Sequence, residues 1–158
     1  KALLLNSYNA AATAIGYWAN TEPTADVLSL GNTFAGTSDG VVYAWAEVEG
    51  YSNFGTYVGN GNADGPFIYT GFRPSMLFLK NATASNGWFV FDKERDGFND
   101  QNDTLSWQDN SAEDNTYKLD ILSNGFKIRG SNNAHNQSGQ TFIYGAWADV
   151  PFKYNNAR

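Results

Sequence analysis

The stretch GNGNADGPF (59–67) offers a side-chain oxygen at every second residue, Asn60, Asn62 and Asp64, and then turns at Gly65 and Pro66. Alternating oxygens ahead of a glycine resemble the start of a calcium loop. That loop wants acids at its first, third and fifth positions, glycine at the sixth and a bidentate glutamate at the twelfth. Counted from Asn60, the first ligand is a neutral amide, the twelfth position is Gly71, and no helix pattern flanks the loop. Calcium at Asn60, Asn62 and Asp64 is thus half a motif, and neither a metal nor a cofactor is expected. Two other readings stay open. One is an Asx- and Gly-rich turn entering a strand PFIYTGF with Pro66 at its first position. The other is a loop whose amides and carboxylate read sugar hydroxyls. The spacing favours the turn.

A second candidate is DKERDGFNDQND (92–103), where Asp92, Glu94, Asp96, Asp100 and Asp103 stand among Lys93 and Arg95. A glycosidase needs two carboxyls about 5–10 Å apart across a cleft, and Asp92, ending an apolar run, is the member best placed for partial burial. The favoured reading is a solvated turn in which Arg95 pairs its neighbours. His135, the only histidine, falls in SNNAHNQSG (131–139), expected as an exposed polar loop. The chain has no cysteine, so a cysteine nucleophile for that histidine is excluded. Neither G-x-x-x-x-G-K nor G-x-G-x-x-G occurs. No catalytic residue is assigned, and the chain is expected not to be an enzyme.

Rings remain. An exposed aromatic can stack on the apolar face of a pyranose while neighbouring amides and carboxylates read its hydroxyls. The candidates are Tyr51, Phe54 and Tyr57, set among Gly and Ser, together with Trp107 and Trp18. Aromatics also dominate β cores, burying ~150–250 Å² each, and Trp45, Trp88 and Trp147, inside apolar runs, are read as core. Tyr and Trp are enriched at subunit interfaces as well.

The elements that must position these groups are strands. Period-two patterns cover SMLFLK (75–80), GWFVFDKE (87–94), YKLDIL (117–122), GFKIRG (125–130) and TFIYGAW (141–147). GFKIRG should have one wet face, carrying Lys127 and Arg129, and GWFVFDKE, apolar on both faces, should be central. Asn124-Gly125 predicts a type I′ hairpin turn, and Asn86-Gly87 closes a second hairpin. Helix is limited to one short turn within 8–19. The predicted core is Leu77, Leu79, Phe89, Phe91, Leu119, Ile121, Phe126, Ile128, Ile143 and Trp147.

Composition agrees. The chain of 158 residues has 10 basic and 16 acidic residues, 19 Asn, 16 Gly and 16% aromatics, a mixture suited to an all-β domain with many turns. An acidic chain with no basic stripe argues against a nucleic-acid partner. No run of 18 apolar residues exists, so no membrane-inserted helix is expected. The chain begins at Lys1, which leaves processing or upstream sequence as the expectation. The sequons at Asn81, Asn102 and Asn136 are what an Asn- and Thr-rich chain produces by chance.

An approximate repeat divides the chain. VVYAWAEV (41–48) parallels FIYGAWADV (142–150), each behind a polar stretch, GTSDG (36–40) or NQSGQ (136–140), and VLSLGN (27–32) parallels ILSNGF (121–126). Trp45 and Trp147 stand 102 residues apart. The expected organisation is the back half of a preceding module at 1–48, packed on or preceding a main module at 51–152, and a tail at 153–158.

GYSNFGTYVGNGNADGPFIYTGFRP (50–74), DILSNGFKIR (120–129), NQSGQTFIYGAWADVPF (136–152) and KYNNAR (153–158) together resemble a repeated module of tail-fibre and other virion surface proteins of marine bacteriophages, cyanobacterial ones included. The resemblance spans nearly the whole chain and implies a lectin-like or laminin-G-like β-sandwich on the outside of a virus particle. The expected fold is therefore an all-β sandwich of jelly-roll or concanavalin-like type. The expected function is host attachment through weak multivalent binding of a surface glycan or receptor. The partners implied are further copies of the chain, a trimer by resemblance, and other virion proteins. The alternatives are a capsid decoration or fibre-forming subunit without a receptor, and a polysaccharide depolymerase domain.

Overall fold

The computed structural model describes residues 2–13, 15–33 and 43–149, with the backbone alone at Ile15 and Trp18. The polar stretch before the first repeat copy, the start of that copy at 41–42, the side chain of Trp18 and the tail 153–158 lie outside the described residues.

Eight strands form two antiparallel sheets. β1 (Ser52–Val58), β8 (Thr141–Ala148), β3 (Pro74–Asn81), β4 (Trp88–Asp92) and β5 (Leu105–Ser106) lie in that spatial order in a five-stranded sheet. β2 (Asp64–Tyr69), β7 (Gly125–Arg129) and β6 (Lys118–Leu122) form a three-stranded one. Three single-turn helices complete the described elements: α1 (Ile15–Trp18), α2 (Lys93–Asp96) and α3 (Asn133–Asn136). The chain is an all-β sandwich, as its alternation predicts. One continuous core joins the sheets: Tyr57 of β1, Leu77 and Leu79 of β3, Phe89 and Phe91 of β4, and Phe142, Tyr144 and Ala146 of β8 meet Ile68, Leu119, Ile121, Phe126 and Ile128. Burying such side chains contributes about 1.5–3 kcal/mol each.

β4 is central and nearly buried throughout, and β7 buries Phe126 and Ile128 while Lys127 and Arg129 reach the other face, both as predicted. β8 corrects the predicted core. Its inward residues are Phe142, Tyr144 and Ala146, so Ile143 and Trp147 lie on the opposite face of the sheet. β8 is flanked by β1 and β3 and covered on both sides, so both parities are apolar and alternation carries no sign.

The β6–β7 hairpin is present, but its turn is displaced by one residue. Leu122 pairs with Gly125, which leaves Ser123 and Asn124 as the turn, and neither has positive φ. Gly125 is needed for proximity instead: a Cβ there would lie 2.1 Å from the Ile68 carbonyl oxygen across the sheet. Pro66 is also displaced, falling inside β2 at an irregularity between Asp64 and Phe67, where an edge strand tolerates the missing donor. The run GWFVFDKE breaks at Asp92, whose carboxylate caps α2 by accepting from the Glu94 and Arg95 amides, and Gly97 ends that turn at φ 70°.

The amino-terminal segment straps the outer face of the five-stranded sheet. Ala2 and Ala12 exchange backbone bonds of 2.8 and 3.0 Å, and the Ala11 amide donates to the Ala82 carbonyl at 2.9 Å. Beneath the strap, Lys80 is fully buried. Its ammonium donates to the carbonyls of Tyr8 at 3.1 Å and Asn86 at 2.6 Å, and burial pushes its pKa down to about 8. Trp88 donates its indole N–H to the Leu4 carbonyl at 3.0 Å, and the Tyr8 hydroxyl donates to Asp109.

Candidate functional site

The register of the five-stranded sheet sets a row of rings on its outer face. Gly145 of β8 pairs with Phe54 on one side and Phe78 on the other. A Cβ at Gly145 would lie 2.4 Å from the Phe78 ring and 2.8 Å from the Phe54 ring, so only glycine lets both lie across β8. Trp147 meets Phe54 edge-on at 5.4 Å and Phe78 at 5.9 Å. Phe78 also contacts Trp88 at 5.7 Å and Trp107 at 5.1 Å. Most of this patch is covered by the strap and neighbouring loops: Trp88 is 6% and Phe78 8% exposed.

The row emerges into solvent at one end. Trp45 rests its edge on Trp147 at 6.1 Å and stacks with Tyr43 at 6.3 Å and 14°. These two rings are 57% and 76% exposed. They form one wall of an open cleft of about 1210 Å³, with residues 20–28 opposite and Ala2 and Leu3 beside them. The opposite wall is a tight turn: the Thr24 amide donates to the Val27 carbonyl at 2.9 Å, and the Thr24 hydroxyl accepts from the amides of Asp26 and Val27 at 3.3 and 3.0 Å. Glu22 and Asp26 are among the residues of this wall. A concave site with ring walls and a few polar groups is the usual form of a small-ligand site. A smaller hollow of about 510 Å³ beside the strap is lined by Ala, Thr, Leu3 and Ile143, without rings or charges among its described residues.

The residues predicted from sequence divide among three places. Phe54 and Trp107 join the outer ring row, partly buried, and Tyr51 is 45% exposed at the start of β1. Tyr57 is a correction: it points into the core, 7% exposed, stacks on Phe142 at 5.0 Å and donates its hydroxyl to the His135 carbonyl at 2.7 Å. Alternation along β1 sends Tyr57 inward and Phe54 outward.

Asn60, Asn62 and Asp64 form a separate, self-bonded loop. The Asn60 oxygen accepts from the Asn62 amide at 2.9 Å, and the Asn62 oxygen from the Asp64 amide at 3.0 Å. The buried Asn136 side chain donates to Asn60 Oδ1 at 3.1 Å, the Asn62 carbonyl at 2.8 Å and the Gly130 carbonyl at 2.9 Å. Asp64 pairs with Lys127 at 3.0 Å and Arg129 at 3.1 Å, and the Lys127 contact holds its carboxyl below the usual range. The two asparagine oxygens close the loop's own turn, the role the spacing favours, and the Asp64 carboxylate ties it to β7.

Asp92 is likewise committed. Arg95 contacts it and also Glu113 at 2.8 Å. Burial raises the Asp92 pKa, but the Arg95 hydrogen bonds and charge outweigh this and hold it low. His135 corrects another expectation. It is 1% exposed within α3, with Nε2 3.0 Å from the Arg129 carbonyl; since a carbonyl only accepts, this nitrogen carries the proton. Burial pushes its pKa down.

Trp45 corrects the core reading, and with Tyr43, Glu22 and Asp26 it makes the cleft that sequence reasoning missed. A signal was present: Tyr43, Trp45 and Glu47 share one parity, opposite Ala44 and Ala46. Rings that share a side with a charge, facing away from alanines, read as surface rather than core.

No curated protein and no solved structure matches the chain. A model of one family, described as a domain of unknown function, DUF7483, matches residues 1–151. The chain belongs to the DUF7483 family of domains.

Proposed function

We propose that this domain is a non-enzymatic recognition module that binds glycan in the Tyr43–Trp45 cleft and serves host attachment from the surface of a bacteriophage particle, in a tail fibre or spike. The observation that carries the binding part is the exposed, buttressed pair of rings. Trp45 is held edge-on by Trp147, so a pyranose stacking on the pair meets a surface already in place, which reduces the ordering cost of binding. The hydroxyls and carboxylates of residues 20–28 supply the hydrogen-bonding wall. The virion placement rests on the motif resemblance. A single shallow cleft suits a Kd near 1 mM, about 4 kcal/mol, and several copies on one particle raise avidity without any new contact.

A glycan array probed with the chain and with Trp45→Ala tests this. Selective retention of glycans that Trp45→Ala loses supports the reading; absence of any retention, or retention equal in both proteins, removes it. A second reading, a fibre-forming or decorating subunit, is favoured by Phe67 and Tyr69, 45% and 66% exposed on the edge strand β2. Light scattering separates it: an oligomer that Tyr69→Ser dissociates supports a subunit contact there.

A further inference from the structure

We infer that the cleft selects its glycan by charge, taking uncharged or ammonium-bearing pyranoses and rejecting carboxylated and sulfated ones, with Glu22 and Asp26 as the selecting residues. This rests on the glycan reading above and adds the substrate class.

The acids elsewhere are largely occupied. Asp64, Asp92, Asp100, Asp120 and Asp149 are ion-paired. Asp96 accepts from the amides of Asn102 and Asp103, and Glu47 from the Asn53 side chain and the Phe54 amide. Glu22 and Asp26 differ. Both are exposed on the cleft wall, and among the described residues neither carboxylate has an ion pair. The described residues lining the cleft include no Lys or Arg. A ligand stacked on Tyr43 and Trp45 thus lies in a cleft whose described lining carries two carboxylates and no cation. Hydroxyl and ammonium groups donate to them; a uronate or sulfate brings like charge against like, the usual device for rejecting a wrong partner. The turn closed by Thr24 fixes the backbone from which the Asp26 side chain projects.

The test measures binding of the full chain to dextran, chitosan oligomers and polyguluronate at about 0.1 M salt, where the Debye length is ~10 Å. Dextran and chitosan should bind, each losing at least about tenfold with Trp45→Ala. Polyguluronate should bind at least about tenfold more weakly than dextran. The double variant Glu22→Gln/Asp26→Asn should raise polyguluronate binding to within about threefold of dextran. A matched variant, Glu94→Gln/Asp114→Asn, changes net charge equally away from the cleft and should leave the discrimination intact. Dextran and polyguluronate binding alike to the unaltered chain overturns the selectivity while the glycan reading stands. An equal effect of the two double variants also overturns it, because overall charge then does the selecting. If none of the three polysaccharides binds, the glycan reading and the selectivity fall together.

Discussion

Lys80 gives the most quantitative test of the fold that carries the cleft. Its ammonium is buried on the outer face under the strap, with the carbonyls of Tyr8 and Asn86 as partners. Its pKa is about 8 in the folded chain, against an ordinary 10.5. Below pH 8 both states hold the proton, and the fold carries the cost of the buried charge in full. Between pH 8 and 10.5 the folded amine is neutral while the unfolded one still binds a proton, so stability rises with pH. The slope is at most about 1.4 kcal/mol per pH unit. Tyr57 opposes it higher up: burial raises its pKa well above 10.0, so the unfolded chain loses that proton first and stability falls beyond pH 10. Between pH 8 and 9.5 the gain is roughly 2 kcal/mol, or about 4–8 °C in Tm for a chain of this size. Thermal unfolding followed by circular dichroism reads it, with Lys80→Met as control. The unaltered chain should gain stability over that interval while Lys80→Met stays flat. Identical slopes in both proteins refute a buried, charged Lys80 beneath the strap.

Three further outcomes follow from the packing. Phe142→Ala should cost about 3–5 kcal/mol in urea unfolding, and Ile143→Ala clearly less, because Phe142 is fully buried between the sheets and Ile143 faces the partly covered side; equal costs would reverse the assignment of β8's faces. Gly125→Ala should lose about 1–3 kcal/mol, since its Cβ would press on the Ile68 carbonyl; an unchanged urea midpoint would contradict that approach. Asn136→Asp should lose about 2–4 kcal/mol by replacing an amide NH2 that faces three oxygens with an acceptor, and an unchanged midpoint would contradict the hub role of Asn136.

The sandwich was legible because β6 and β7 write their environments in alternation: Phe126 and Ile128 against Lys127 and Arg129 leaves one solution. β8 was not, since rings wait on one side and the core on the other, so Ile143 and Trp147 carry no mark distinguishing them from Phe142 and Tyr144. His135 misled for a related reason. Its polar neighbours suggest solvent, yet Asn136 turns inward to satisfy backbone carbonyls of two loops and brings the histidine with it. Phe54 and Trp107 were named as ring candidates and do share the outer face, but the exposed end of that row was hidden by the likeness of 41–48 to the β8 sequence. Residues 43–47 lie outside both sheets, so letters like those that run through β8 present rings to solvent at Trp45.

The claim that Tyr43 and Trp45 form a glycan platform is tested most directly by titrating the unaltered chain, Trp45→Ala and Trp107→Ala in parallel with the best-retained neutral oligosaccharide. Loss of at least about tenfold in affinity, about 1.4 kcal/mol, is predicted for Trp45→Ala, with Trp107→Ala keeping its affinity while folded because its ring packs on Phe78 and Trp88 away from the cleft. Equal affinity of Trp45→Ala and the unaltered chain would contradict it.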